Sequence, residues 1–456
     1  MLIYILFILF IIMLIESYKL FDSEISHPAV IFCFMYTVSI ISAIYNISAW
    51  NITLEWKTFL ILFLGGVEFI IVSYLVNIFF KKKKSIFKKN ISEKGVDSFV
   101  CNKLFLIFII IFSVILIWLL IINILEIAGR FGDYNNFTEA QTLFKSHTSY
   151  SNDASLPHYL LLMFKVLELS SYICLYSFLY NVINFTDEKF IRGIMKNIYY
   201  LVPAILYVLK ELISSSRITI IQLGCAGTIM GLIIWYSKYN WKKKISFKFI
   251  LSLVLVGIVC LVVFYYSAAL IGRQNSKGML DYITLYAGGS IECLNLYIKE
   301  SINNIHTMGR ETFILLMQGL NKYNITNFDI SAAQTAHLEF RFYNDIMIGN
   351  VYTAYRRWFA DFGIWGIVVL NGFMSFVYNF VYYIFKHSGL KKYNHLLLII
   401  FGYISFGLFL HPIDSYFYTS VFQITFGTNL VLFVVLYFLA FNISYDKKSK
   451  RFKLSL

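Results

Sequence analysis

The chain has 456 residues, of which 59% are hydrophobic, 19% aromatic and only 14% charged. A soluble globular domain carries about 25% charged residues, so the composition excludes an ordinary water-soluble fold. Apolar runs of about 20 residues recur along the chain, long enough to cross a hydrocarbon core of about 30 Å. The six cysteines show no spacing typical of a disulfide framework or a zinc site.

The apolar runs predict an all-α, polytopic membrane helical bundle with about eleven transmembrane helices. We treat 1–456 as a single integral membrane domain. The first run lacks the basic region and small-residue cleavage site of a signal peptide, so we expect a retained helix. In chain order the predicted helices are 2–16, 28–48, 58–80, 104–127, 158–185, 198–212, 217–237, 249–271, 357–385, 395–411 and 419–441.

The distribution of basic residues predicts the orientation, because cytoplasmic loops carry an excess of lysine and arginine. The loop 81–103 contains eight lysines and is therefore predicted to be cytoplasmic. Alternation then places 25 of the 39 basic residues inside, with the N-terminus outside and the C-terminus in the cytoplasm. The net charge of +14 is thus explained by anionic lipid headgroups, and nucleic acid is not an expected partner.

The type of basic residue differs between the two predicted faces. Inside, 23 of 25 are lysine, whereas outside seven of 13 are arginine. A planar guanidinium binds phosphate through two parallel hydrogen bonds, which an ammonium does not, so we infer an outside site for an anionic group. The large extracytoplasmic loop 272–356 is long enough to build it. Within that loop we predict helices at 279–300, with a break at Gly288–Gly289, and at 312–323.

Three stretches of the sequence together resemble one family. They are ISSSRITIIQLGCAG at 213–227, LIGRQ at 270–274 followed by YAGG at 286–289, and NVYTAYRRWFADFGIWG at 350–366. The chain resembles the O-antigen and capsule oligosaccharide repeat-unit polymerases of the Wzy type. Members of that family have many helices, a large outward loop late in the chain, and an Asp-Phe-Gly-x-x-Gly element entering the next helix.

The resemblance implies a glycosyltransferase of GT-C-like fold in the bacterial cytoplasmic (inner) membrane, making lipopolysaccharide or capsule. Such a polymerase transfers the growing glycan from polyprenyl pyrophosphate to the terminal sugar of a new lipid-linked unit. The implied partners are polyprenyl-pyrophosphate-linked oligosaccharides, membrane lipids, a chain-length regulator and a flippase. Two alternatives stay open, an O-antigen ligase-type transferase and a lipid-linked oligosaccharide flippase, although a flippase has little use for a large outer loop.

The expected leaving group is a diphosphate, and preorganised cations near its developing charge would lower the barrier. Arginines can do this without a metal or another cofactor, and the outside segments show no Asp-x-Asp pair. Arg217 is the strongest candidate, because it opens a helix whose free backbone N–H groups also favour an anion. Arg273 is the second. The competing interpretation is headgroup snorkelling for Arg217 and a loop salt bridge for Arg273.

A general base is expected to take the proton of the acceptor hydroxyl. His337, Glu339 and Asp361 are the candidates, since imidazole titrates near neutral pH and burial tunes carboxylates. Asp361 also fits a helix-start residue favoured by the helix dipole. The predicted substrate-binding residues are Arg310, Arg341, Tyr352, Arg356 and Arg357, with a salt bridge or interfacial anchoring as the competing interpretation of the arginines.

Overall fold

The computed structural model describes residues 1–82, 101–151, 153–185, 190–270, 278–300, 307–329, 338–390, 394–441, 443–446 and 451–454. In this part of the chain the helices are α1 Leu2–Leu20, α2 Pro28–Tyr45, α3 Trp56–Lys82, α4 Lys103–Phe131, α5 Phe137–Lys145, α6 His158–Phe185, α7 Phe190–Asn197, α8 Val202–Ile213, α9 Ile218–Lys238, α10 Phe247–Leu270, α11 Met279–Glu300, α12 Ile314–Lys322, α13 Tyr355–Ser388, α14 Asn394–Phe409, α15 Tyr416–Val421 and α16 Ile424–Phe441. Two short hairpins, β1 Arg341–Tyr343 with β2 Ile346–Gly349 and β3 Ile443–Asp446 with β4 Arg451–Leu454, are the strands described.

Eight of the described helices are long and apolar enough to cross a membrane, namely α1, α2, α3, α4, α6, α9, α13 and α16. The chain is therefore an all-α, multi-pass membrane protein, as the apolar runs predict. Two further apolar helices are shorter, at Gly257–Ala268 within α10 and at Asn394–Phe409. The predicted crossing at 198–212 forms a 3-10 turn followed by the twelve-residue α8, so the total of about eleven is not established.

Small residues let the central helices approach closely. α3 packs against α13, and a Cβ added at Gly65 would lie 2.3 Å from the hydroxyl of Tyr355. Asn371 on α13 donates to the carbonyl of Gly65 and to the carboxylate of Glu68, both at 2.9 Å. A polar side chain inside a bundle needs such partners, because an unpaired buried polar group is costly.

The predicted break at Gly288–Gly289 is wrong, because α11 is one continuous helix through both residues. Both glycines instead allow close approach. A Cβ at Gly288 would lie 2.4 Å from the backbone nitrogen of Ala43 on α2, and one at Gly289 would lie 2.8 Å from the carbonyl oxygen of Ile348 on β2. Because neither glycine has a side chain, α11 packs closely between α2 and the β1–β2 hairpin of the loop.

The kink in α13 gives the Asp-Phe-Gly-x-x-Gly element a structural explanation. Gly363 has φ +62° and ψ −147°, a backbone conformation that glycine adopts far more easily than other residues. A Cβ at Gly366 would lie 2.4 Å from the carbonyl oxygen of Trp358, so the second glycine lets the chain fold against its own preceding turn. The kink separates a buried first segment, residues 355–361, from the longer apolar part of α13.

Contacts between loops sort the helix ends into two groups. At one end, Gln141 donates to the last turn of α8 at 2.8 Å, and Gly319 of α12 packs against the start of α16. At the opposite end, Lys386 of α13 pairs with Glu24 of the α1–α2 loop at 2.8 Å. The two groups agree with the two membrane faces that are obtained by counting the helices along the chain. We call the first group, at the end of the bundle that carries Gln141 and α12, the loop end.

Candidate functional site

The first turn of α13 carries two adjacent buried arginines at the loop end. Arg356 and Arg357 are only 3% and 2% exposed. The Nη1 atom of Arg356 lies 2.5 Å from Oε2 of Glu311, which precedes α12 and is itself buried. Arg357 forms a two-point ion pair with Asp414, with Nε–Oδ1 at 2.9 Å and Nη2–Oδ2 at 3.3 Å. This ion pair therefore holds the segment after α14 against the start of α13.

The hairpin of the large loop brings a third arginine to the same place. Arg341 on β1 donates from Nε to the hydroxyl of Tyr352 at 2.8 Å and pairs through Nη2 with Glu339 at 3.2 Å. Its Nη1 atom pairs with Glu300 at the end of α11. Glu339 also faces Arg356 at 3.4 Å. We call this set the arginine–carboxylate network; its members are Arg341, Arg356, Arg357, Glu300, Glu311, Glu339 and Asp414.

The two central glutamates differ in their electrostatic surroundings. Burial raises the pKa of Glu311 above its ordinary value, although Arg356 and Arg357 act in the opposite direction. Burial also acts to raise the pKa of Glu339, but Arg356 and Arg341 together hold it below its ordinary value. Glu339 is therefore ionised at neutral pH while the arginines stay beside it, and it is the more exposed of the two.

One buried donor of the network has neither a hydrogen bond nor an ion-pair contact in the described part of the chain. The Nε atom of Arg356 is buried and makes no hydrogen bond in the described part of the chain, while its ring-facing surface stacks on Tyr297, with Cζ 4.2 Å from the ring centroid. A buried donor without a partner costs about 1–3 kcal/mol, and in native proteins such a group is uncommon enough to need an explanation. An incoming oxygen would satisfy it.

Asp361, a predicted general base, is fully buried and engaged with the loop. It accepts hydrogen bonds from the hydroxyl of Thr307 at 2.5 Å and from the backbone nitrogens of Glu311 at 3.0 Å and Thr312 at 2.6 Å. These bonds fix the segment that carries Glu311 against α13. The observed contacts give Asp361 an anchoring role, one turn after the paired arginines.

Arg217, the strongest sequence candidate, lies elsewhere. It is the N-cap residue of α9 and is 7% exposed, with Cζ 4.6 Å from the ring centroid of Phe264 and 5.8 Å from that of Tyr282. Tyr282 and Glu300 stand near opposite ends of α11, 18 residues or about 27 Å apart along a straight helix. The predicted single cluster of outside arginines is therefore divided between two places.

The remaining predicted residues have separate positions. Arg310 forms an ion pair with Asp329 at 3.7 Å and does not enter the network through a described contact. Tyr352 is fully buried, and its hydroxyl accepts from Arg341 and donates to the backbone of Glu339. Arg273 and His337 lie outside the described residues.

Sequence reasoning missed three carboxylates of the network, Glu300, Glu311 and Asp414. Glu300 and Asp414 pair with arginines 41 and 57 residues away, and Glu311 pairs with one 45 residues away. Only the position of Asp414 in the chain could have indicated it, because Asp414 follows α14 at the end of the bundle where α13 begins. No three His, Cys, Asp or Glu side chains of the described residues converge as a metal site would require.

Comparison with known proteins adds no assignment to this geometry. No family model, curated protein or solved structure matches the chain. We therefore infer function only from the buried arginines, their carboxylate partners and the membrane-spanning bundle.

Proposed function

We propose that this chain polymerises lipid-linked oligosaccharide repeat units at the outer face of the bacterial cytoplasmic membrane, without a metal. The observation that carries the proposal is the convergence of Arg341, Arg356 and Arg357 at the base of the large loop. Three buried or half-buried guanidiniums are suited to a diphosphate, because each presents a planar fork of donors. The lysine-rich loop 81–103 and the arginine-rich loop 272–356 support the orientation.

The carboxylates of the network compete with a phosphate for the same donors. With all groups ionised, three arginines face four carboxylates, so the resting network has no surplus positive charge. Glu300 and Glu339 are the two most accessible carboxylates of the network, with side chains 60% and 28% accessible. A diphosphate entering from the loop side displaces these two carboxylates from Arg341 and Arg356 and also reaches the unpaired Nε of Arg356.

Displacement of Glu339 couples donor binding to proton transfer. Once Arg341 and Arg356 turn to the diphosphate, the released carboxylate is free to accept the proton of the acceptor sugar hydroxyl. The hydroxyl oxygen then bonds to the anomeric carbon of the donor glycan. The C–O bond to the diphosphate breaks, its electron pair leaves with the diphosphate, and the arginines stabilise that developing charge.

Deletion of the gene, followed by separation of the surface glycans by size, tests the proposed function. We expect one-unit glycans in the deletion strain and a restored ladder with the wild-type gene. Glu339→Gln keeps the shape but not the basicity of the side chain, and we expect it to leave one-unit glycans. Glu55→Gln is the matched control, because Glu55 is an exposed glutamate paired with Lys299.

Other outcomes assign other functions. Surface glycan that is wholly absent while polymer accumulates on its lipid carrier indicates a ligase. Loss of outward-facing lipid-linked units indicates a flippase. A full ladder with Glu339→Gln removes that residue from proton transfer.

A further inference from the structure

A second charged feature lies at the loop end, apart from the network. It is a cleft of about 750 Å³ between the last two turns of α4, the start of α6 and the C-terminal end of α12. Arg130, His158 and Lys322 line it from those three helices, together with Glu126. All four side chains belong to exposed residues, so a ligand can reach them from the surface.

The charges around this cleft do not cancel. Arg130 pairs with Glu126 at 2.5 Å, whereas the side chains of Lys322 and His158 have no ion pair or hydrogen bond with the rest of the described chain. The lining thus holds two permanent cations and one carboxylate. The start of the 28-residue α6 adds the positive end of its helix dipole. The local field therefore favours an anion.

The remaining walls of the cleft are partly apolar and also carry the polar side chains of Asn123 and Ser155. Ile127, Leu156 and Leu161 lie beside the charged groups, with Leu161 about one turn into α6. Because α4 and α6 are both long enough to span a membrane, a lipid-linked molecule beside their ends can reach this apolar surface. A molecule with an anionic head and an apolar tail matches both halves of the cleft.

The position of α12 relates the cleft to the arginine–carboxylate network. Glu311 stands three residues before α12 begins, and Lys322 is the last residue of that helix. Nine helical residues span about 13 Å. A short oligosaccharide can bridge this separation along the surface of the helix.

We infer that the cleft between α4, α6 and α12 binds the pyrophosphate head of the lipid-linked acceptor unit, whose outer sugar reaches the network. The inference rests on the proposed function. The donor diphosphate develops charge as its bond to sugar breaks, which calls for buried, fixed guanidiniums. The acceptor diphosphate stays intact, so exposed cations that hold it equally before and after the reaction are sufficient.

Binding of a sugar-free polyprenyl pyrophosphate to the full-length protein in phosphatidylcholine nanodiscs tests the inference. We expect two molecules per wild-type protein and one per Arg130→Ala/Lys322→Ala protein. In turnover with lipid-linked units, Lys322→Ala should raise KM about tenfold at little-changed kcat, the loss expected for one charge-assisted hydrogen bond. Lys299→Ala is the matched control, because Lys299 is also an exposed lysine in the last turn of a loop helix.

Three results would overturn the inference. The first is a stoichiometry and KM unchanged in the double variant. The second is displacement of one equivalent by phosphatidylglycerol as readily as by unlabelled polyprenyl pyrophosphate, which would make the cleft a general phospholipid site. The third is equal displacement by inorganic pyrophosphate, which would remove the role of the lipid tail. Failure of the proposed function differs, because the wild-type protein would then form no polymer at all.

Discussion

Arg356 is the residue of the network that is at once charged, buried and left with an unpaired hydrogen-bond donor. It is paired with Glu311, faces Glu339 and keeps its Nε without an acceptor. The outer arginines are predictable from the sequence because their residue type alone suits a phosphate. Their partners are not, since Glu300 and Asp414 reach Arg341 and Arg357 only through tertiary contacts over 41 and 57 residues.

The variant Arg356→Lys separates a role in chemistry from a role in folding. It keeps the positive charge beside Glu311 but removes the planar fork and the spare donor. We expect polymer formation to fall at least about tenfold, as for loss of one charged hydrogen bond, with normal membrane insertion. Arg356→Ala is less informative, because it leaves Glu311 buried without its closest partner, at a cost of roughly 3–5 kcal/mol.

Arg192→Lys, on the short helix α7, serves as the control for the same exchange. Polymer length is compared by gel at equal protein abundance. An Arg356→Lys protein that makes wild-type polymer would show that the guanidinium acts only as a charge.

At the scale of elements, the apolar helices follow from the sequence because each is an independent run that must satisfy its own backbone in lipid. The path of the large loop does not follow in the same way. Gly288 and Gly289 suggest a break when α11 is considered alone, yet contacts with α2 and β2 make them positions of close approach within one helix. The hairpin β1–β2 was likewise not predicted, because its short strands carry little periodic signal.

The kink at Gly363 should be sensitive to substitution. Gly363→Ala places a Cβ at φ +62°, which costs roughly 1–3 kcal/mol for a non-glycine residue. Because Asp361 and the paired arginines precede the kink directly, we expect lower thermal stability together with loss of polymer. Gly427→Ala on α16 is the control, since a Cβ there meets no atom within 4 Å. Equal unfolding temperatures for the two variants would contradict the strained kink.

Glu292 makes the attachment of α11 dependent on pH. It is buried and accepts a hydrogen bond from Asn295, which in turn accepts from the backbone nitrogen of Glu55. Burial raises the pKa of Glu292 to about 7. The folded state thus binds the proton more tightly than the unfolded state does, so stability falls as pH rises from about 4.5 to 7 and then levels off.

Glu292→Gln should remove this contribution and stabilise the protein at pH 8 by up to roughly 3 kcal/mol, at about 1.4 kcal/mol per pKa unit. Unfolding followed by tryptophan fluorescence at pH 5 and pH 8 measures the difference. A wild-type protein that is equally stable at both pH values would argue against a buried, protonated Glu292.

At the scale of the whole molecule, the contacts divide the loops into two sets that agree with helix counting. The basic-residue distribution predicts that the loop end faces the outside. Cysteine labelling in intact cells tests this assignment. Asp345→Cys on the exposed hairpin turn should react with a membrane-impermeant thiol reagent, whereas Lys94→Cys should react only after permeabilisation. Cys33, Cys101, Cys174, Cys225 and Cys293 are buried, which keeps the background low. The reverse labelling pattern would place the network in the cytoplasm.

The most direct measurement uses the purified chain in proteoliposomes supplied with lipid-linked repeat units and a metal chelator. We expect a ladder of longer lipid-linked glycans and one free polyprenyl pyrophosphate released for each bond formed, with both products lost in Arg356→Lys. Repeat units that stay at unit length in the presence of correctly inserted wild-type protein would contradict a polymerase built on the arginine–carboxylate network.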